Sequence, residues 1–184
     1  MKNVLGILVL LAGAASSAEV LQGKGQVDFV AVGKPSMIKI KGHSTDALAN
    51  LKLEANKLSG EIKLNLDNLK TGIDMRDEHM KAKYLQTKNY PSASLVIKDM
   101  TMPAGWSLTH VAATDVPFTG VLKLHGVEKP VQGTYTIENN NLNPVAKFDI
   151  KLSDFKIDIP EYLGVKVADN VNVQVQLDQL KVTK

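Results

Sequence analysis

Polar and apolar residues alternate with a period of two along most of the chain. Ile62, Leu64 and Leu66 are interleaved with Glu61, Lys63, Asn65 and Asp67, and Ile38 and Ile40 with Lys39 and Lys41. Ala93, Leu95 and Ile97 alternate with Ser92, Ser94 and Lys98. Val131, Tyr135 and Ile137 alternate with Gln132, Thr134, Thr136 and Glu138, and Val171, Val173, Val175 and Leu177 with Asn172, Gln174, Gln176 and Asp178. Successive side chains of a strand point to opposite faces, so each segment has one wet and one dry side, as an antiparallel sheet allows. Turn-forming stretches separate the segments: Gly33-Lys34-Pro35, Met102-Pro103-Ala104-Gly105, Gly126-Val127-Glu128-Lys129-Pro130 and Asn139-Asn140-Asn141. The apolar phase slips by one residue between Leu152 and Phe155, and again between Leu177 and Leu180. A slip turns the dry face outward unless the strand bulges, so β-bulges are predicted near Ser153-Asp154 and Asp178-Gln179. Many strands with regular turns predict a sandwich or a closed barrel, and bulges that curve long strands favour the barrel.

One stretch departs from this rhythm. Asp74 to Gln86 carries Asp74, Asp77 and Glu78 in what is a first helical turn, with Lys81 and Lys83 later. That order complements the helix dipole and predicts a short helix, capped by Asp74 and ending before Asn89-Tyr90-Pro91. Asp46-Ala47-Leu48-Ala49-Asn50 is expected as a helical turn or a loop.

The first residues belong to a different class of segment. Met1-Lys2-Asn3 is a short cationic start, Val4 to Leu11 is apolar apart from Gly6, and Ser16-Ser17-Ala18 presents small side chains. This layout predicts a secretory signal peptide, residues 1–18, cleaved after Ala18 to leave one domain over 19–184. The apolar run is far shorter than the ~20 residues of a membrane-spanning helix, and no second run of that length follows. Cysteine is absent, which removes disulfides, thiolate metal sites and cysteine nucleophiles and leaves the core alone to hold an exported domain together. The net charge is +3 with Lys2 included, and no basic cluster with interleaved aromatics occurs, so no nucleic-acid partner is expected.

Two blocks carry a family resemblance. The first is Thr71-Gly72-Ile73-Asp74-Met75-Arg76-Asp77-Glu78-His79-Met80, followed by Tyr84-Leu85 and then Asn89-Tyr90-Pro91. It resembles the central motif of the YceI-like family, which runs from a T-G pair through R-D-x-H to K-x-Y-P ahead of a strand. The second, Phe118 to Val131, is similar to that family's G-x-L-x-x-H-G-V-x-K-P-V hairpin. The two stand in the family's order. The resemblance implies an all-β, antiparallel, lipocalin-like β-barrel of about eight strands with one short helix, located in the periplasm or secreted. It also implies a binding protein for a polyisoprenoid or another long apolar lipid rather than an enzyme, with no cofactor.

The candidate ligand-binding residues are Arg76, Asp77, His79, Tyr84, Trp106, Phe118, Tyr135 and Phe148, with none assigned as catalytic. The aromatic residues are cavity lining or core. Arg76 or His79 is placed to meet a polar or phosphorylated head group at the barrel mouth; alternatively Arg76 and Asp77 pin the helix to neighbouring loops. His125, before Gly126, is expected to serve a turn. His43 and His110 stand apart from it, no metal-ligand spacing is present, and no serine has a nucleophile-elbow context, so no metal site or acyl transfer is expected. Two other readings stand beside lipid binding: a lipid-acting enzyme using Asp77 and His79 as acid and base, and a filled barrel acting through its surface in stress response or protein interaction.

Overall fold

The alternating segments hydrogen-bond side by side into one antiparallel sheet. The computed structural model describes residues 18–34, 38–103, 112–138, 143–162 and 165–183. The strands are β1 (Glu19–Lys34), β2 (Ile38–Glu54), β3 (Lys57–Asn65), β4 (Ser92–Thr101), β5 (Ala113–Leu124), β6 (Val127–Ile137), β7 (Val145–Lys151), β8 (Glu161–Tyr162) and β9 (Val165–Thr183). The order is β1-β2-β3-β4-β5-β6-β7-β9, and β1 pairs back onto β9, which closes an eight-stranded barrel. The two-residue β8 adds only to β9 at one end. Closure leaves no long edge exposed and gathers the dry sides into one core, from Leu21 and Leu51 at one end to Leu124 and Ile150 at the other.

Tight turns hold the register. Ala55 and Asn56 both have positive φ (47° and 64°), as do His125 and Gly126 (51° and 73°). These are the two-residue connections whose twist matches that of flanking strands. His125 thus serves the turn. The structure shortens that predicted turn, because Val127 to Pro130 already belongs to β6, with Pro130 opposite Val121. Gly60, at φ 143°, lies so close to β2 that a Cβ there would sit 2.3 Å from the Asn50 carbonyl oxygen.

The two phase slips are resolved in different ways. In β9, Gln22 faces Lys181 but Lys24 faces Asp178, so Gln179 and Leu180 share the single residue Gly23 opposite. This is the bulge predicted at Asp178-Gln179. At Ser153-Asp154 the expected bulge is replaced by a 3₁₀ turn, Leu152–Phe155, ended by Lys156 at φ 56°. The chain leaves the sheet there, and Phe155 (1% exposed) and Ile157 return inward. The Asp169 carboxylate accepts the Ser153 N–H (2.8 Å) and hydroxyl (2.6 Å). These hydrogen bonds stabilise the turn and hold the Asp169 carboxyl below the usual carboxylate range.

Asp46 to Asn50 is neither helical turn nor loop. It lies within β2, where Ala47, Ala49, Leu51 and Leu53 all face the core. A register shift between Gly25 and Val27 absorbs an extra β2 residue just before it.

The helix α1 spans Asp74–His79. Asp74 is its first residue and not its cap; Ile73 takes the cap position in an extended conformation without a side-chain bond. From Met80 to Tyr84 the helix widens into a π turn, in which the Leu85 N–H reaches the Met80 carbonyl at 2.8 Å. Such widened turns cluster at functional sites. Among the described residues no helix is long and apolar enough to cross a membrane.

Candidate functional site

The barrel is not filled. A cavity of about 570 Å³ occupies the half of the lumen under α1, bounded by Phe29 of β1, Leu122 of β5, Phe148 of β7 and Val173 of β9. That size lies within the range of small-molecule sites, which are about 300–1,000 Å³ and mostly apolar with few polar groups. The β-strand period puts these side chains inside, while the lysines and glutamates between them stay in solvent. The polar side chains on its wall are few: Thr71, Arg76, His79, Tyr84, Ser94 and Glu161. Ile38, Ile73 and Met75 line the cavity and are also exposed to solvent, which marks its mouth.

A second cavity of about 80 Å³ lies toward the opposite end of the barrel, between Met100, Phe118, Tyr135 and Leu180. Ile62, Leu95 and Val175 line both cavities and form a waist between them.

The sequence-derived candidates divide among these places. Arg76, His79, Tyr84 and Phe148 line the large cavity. Phe118 and Tyr135 line the small one. The Phe118 and Phe148 rings pack edge to face, centroids 6.1 Å apart. The Tyr135 hydroxyl is buried without a hydrogen-bond partner among the described residues, and burial raises its pKa. Trp106 and His110 lie outside the described residues.

Asp77 faces away from the cavity. It is 3% exposed, and its Oδ1 accepts the Thr71 N–H (2.7 Å) and the Thr71 hydroxyl (2.5 Å). Arg76 grips the same residue: its Nε donates to Thr71 Oγ1 and its terminal nitrogen to the Thr71 carbonyl, each at 2.8 Å. Arg76 and Asp77 thus clasp the start of the helix to the preceding loop, with an edge of Arg76 left on the cavity wall. His79 lines the cavity whereas Asp77 does not and is engaged by Thr71, so the acid–base pair Asp77/His79 is not assembled around one space. His125 is likewise occupied structurally: its Nδ1 lies 3.1 Å from the Phe155 carbonyl oxygen and its ring packs on Tyr90. His43 contacts Asp28 at 2.7 Å on the outer wall. Among the described residues no group of three or more histidine, aspartate or glutamate side chains is placed to hold a metal.

Sequence reasoning passed over several cavity residues. Phe29 carried a usable signal, because Val27, Phe29 and Ala31 are in phase and all line the wall. Met75 and Met80 fit the helical spacing. Glu161 gave none, since it enters through the segment after the 3₁₀ turn.

Comparison with known proteins agrees with this geometry. The model of the YceI-like domain family matches residues 19–179. A polyisoprenoid binding domain from Saccharophagus degradans, implicated in plant cell wall breakdown, is similar in structure, with TM-score 0.63, 14% identity, and 86% of this chain and 95% of that one covered. BcnA of Burkholderia cenocepacia gives TM-score 0.64 at 22% identity, covering 86% and 96%. The YceI protein of Campylobacter jejuni gives 0.53 at 18%, covering 79% and 85%. Among curated protein sequences no significant match is found.

Proposed function

The chain belongs to the YceI-like domain family, and from that membership we propose that it binds a polyisoprenoid or another long apolar lipid inside its barrel. The observation that carries the proposal is the 570 Å³ cavity walled by aliphatic and aromatic side chains. Each methylene moved from water into such a space contributes ~0.8 kcal/mol, so a long chain binds well without a charged contact. The S. degradans relative, described as a polyisoprenoid binding domain, supports the same ligand class. The apolar chain lies along the lumen, and its polar end sits at the mouth beside Arg76, His79, Tyr84 and Glu161, with Phe148 against the chain. Phe118 and Tyr135 serve its far end beyond the waist. The protein works as a carrier or reservoir, and the lipid is its partner.

Export fits this role. The family match and β1 both begin at Glu19, immediately after the segment read as a signal peptide. Cleavage after Ala18 places the domain in the periplasm or outside the cell.

Native mass spectrometry of the protein purified without detergent tests the proposal. The expected result is a mass excess that organic extraction removes and that extract analysis identifies as a long apolar lipid. A protein that is ligand-free and also fails to take up a fluorescent apolar probe refutes it.

A further inference from the structure

Five large apolar side chains are exposed among the described residues: Ile38 (52%), Leu48 (53%), Ile73 (53%), Met75 (61%) and Val182 (39%). Scattered singly, such residues need no explanation. Their placement is not scattered. Ile38, Ile73 and Met75, which include the most exposed of the five, all line the large cavity at its mouth. They come from three separate elements: the start of β2, the extended residue before α1, and the first turn of α1. Leu48 and Val182 line neither cavity.

We propose that this mouth is a docking surface for a lipid bilayer, with Ile38, Ile73 and Met75 inserting among the lipids. The inference rests on the lipid-binding reading given above and adds how the cavity is loaded. The occupant is set by continuity: Ile38, Ile73 and Met75 are each exposed to solvent and each also form part of the apolar cavity wall. A bilayer placed against the rim joins its hydrocarbon to the lumen, so an insoluble chain passes between them without crossing water. The charges at the rim are mixed. Arg76 and Glu161 both line the cavity, and the exposed chain neighbours of Ile38 and Ile73 are Lys39 and Asp74, one of each sign. Burial of the rim side chains, and not attraction to anionic head groups, therefore drives the contact. Gly72, at φ 84° with no atom within 4 Å of a Cβ position, presents Ile73 on an uncrowded turn.

The test is flotation of the full protein with phosphatidylcholine vesicles, repeated with vesicles that also contain phosphatidylglycerol. The parent protein is expected to float with both, with affinities differing by less than about threefold, since a contact that relied on several cationic side chains would gain far more from anionic lipid. Ile73→Asp and Met75→Asp are each expected to lower vesicle binding about tenfold or more, as loss of one inserted side chain predicts. Leu48→Asp removes an equally exposed apolar group from the outer wall and is expected to leave binding unchanged. Circular dichroism checks that each variant is folded, and Met75→Asp, on the outermost side chain, stands if Ile73→Asp does not fold. A parent that does not bind vesicles overturns the proposal, as does an equal loss with Leu48→Asp. So does a dimer in sedimentation that Met75→Asp dissolves, because the mouth is then covered by a second copy. Retained lipid in mass spectrometry without vesicle binding overturns docking alone. Vesicle binding by a protein that never holds lipid supports docking and overturns the proposed function.

Discussion

Replacing Asp77 by alanine separates a structural clasp from a ligand contact. In the native protein one carboxylate oxygen accepts two hydrogen bonds from Thr71, at 2.7 and 2.5 Å, in a site only 3% exposed. Hydrogen bonds to a charged group contribute about 1.5–3 kcal/mol each. Removing both, while freeing the helix from the cost of a buried charge, gives an expected loss of about 3 kcal/mol. For a domain of this size each kcal/mol shifts Tm by about 2–4 °C, so Asp77→Ala is expected to melt roughly 6–12 °C lower. Asp77→Asn retains an acceptor oxygen and is expected to lose about half as much, since neutral hydrogen bonds contribute about 0.5–1.5 kcal/mol. Calorimetry gives Tm, and urea unfolding gives the free energy. A double-mutant cycle with Thr71→Val isolates the pair, and a coupling of at least about 1 kcal/mol is expected. An Asp77→Ala protein as stable as the parent, or a coupling near zero, refutes the clasp.

Three further outcomes follow from named contacts. Gly60→Ala combines a strained φ with a 2.3 Å approach to the Asn50 carbonyl; it is expected to cost more than about 2 kcal/mol, and an unchanged urea midpoint would falsify the argument. Tyr135→Phe removes a buried hydroxyl without a partner, so at neutral pH it is expected to be neutral or stabilising by up to about 1 kcal/mol. Burial raises the Tyr135 pKa in the folded state, so the unfolded chain ionises first and the parent loses stability as pH rises through about 10, a loss that urea titrations should find absent from the Phe variant. Val175→Phe narrows the waist shared by the two cavities; mass spectrometry is expected to find shorter retained lipids, and an unchanged chain-length profile counts against passage through the waist.

The strands were legible because a barrel wall imposes the simplest of patterns, dry inside and wet outside. The β9 bulge was legible for the same reason: a slip in phase must be absorbed somewhere. The slip at Ser153-Asp154 has the same signature, but its form depends on Asp169 of another element accepting two hydrogen bonds from Ser153. No local pattern reveals that. Residues 46–50 were obscured by alanine, whose helix propensity outweighs alternation when the buried side chains are small; Ala47 and Ala49 are buried through tertiary pairing. At the site, motif and spacing identified the helix and its neighbours. Two residues after Met75, Asp77 cannot share the helix face of Met75 and His79, but its engagement with Thr71 depends on how the loop folds back. The open lumen was not legible at all, since it is a difference between the space the strands enclose and the volume their side chains fill.

The pairing of β1 with β9 joins segments roughly 150 residues apart in sequence. A ribosome or translocation channel that has delivered the chain only as far as β7 has delivered a trough, open along β1 and along β7, with no lumen. Until the last strand arrives, two unpaired margins stay available to neighbouring chains. Chain completion, seam formation and the ability to hold cargo therefore coincide in time, and a product truncated before β9 is both empty and prone to stick to its own kind.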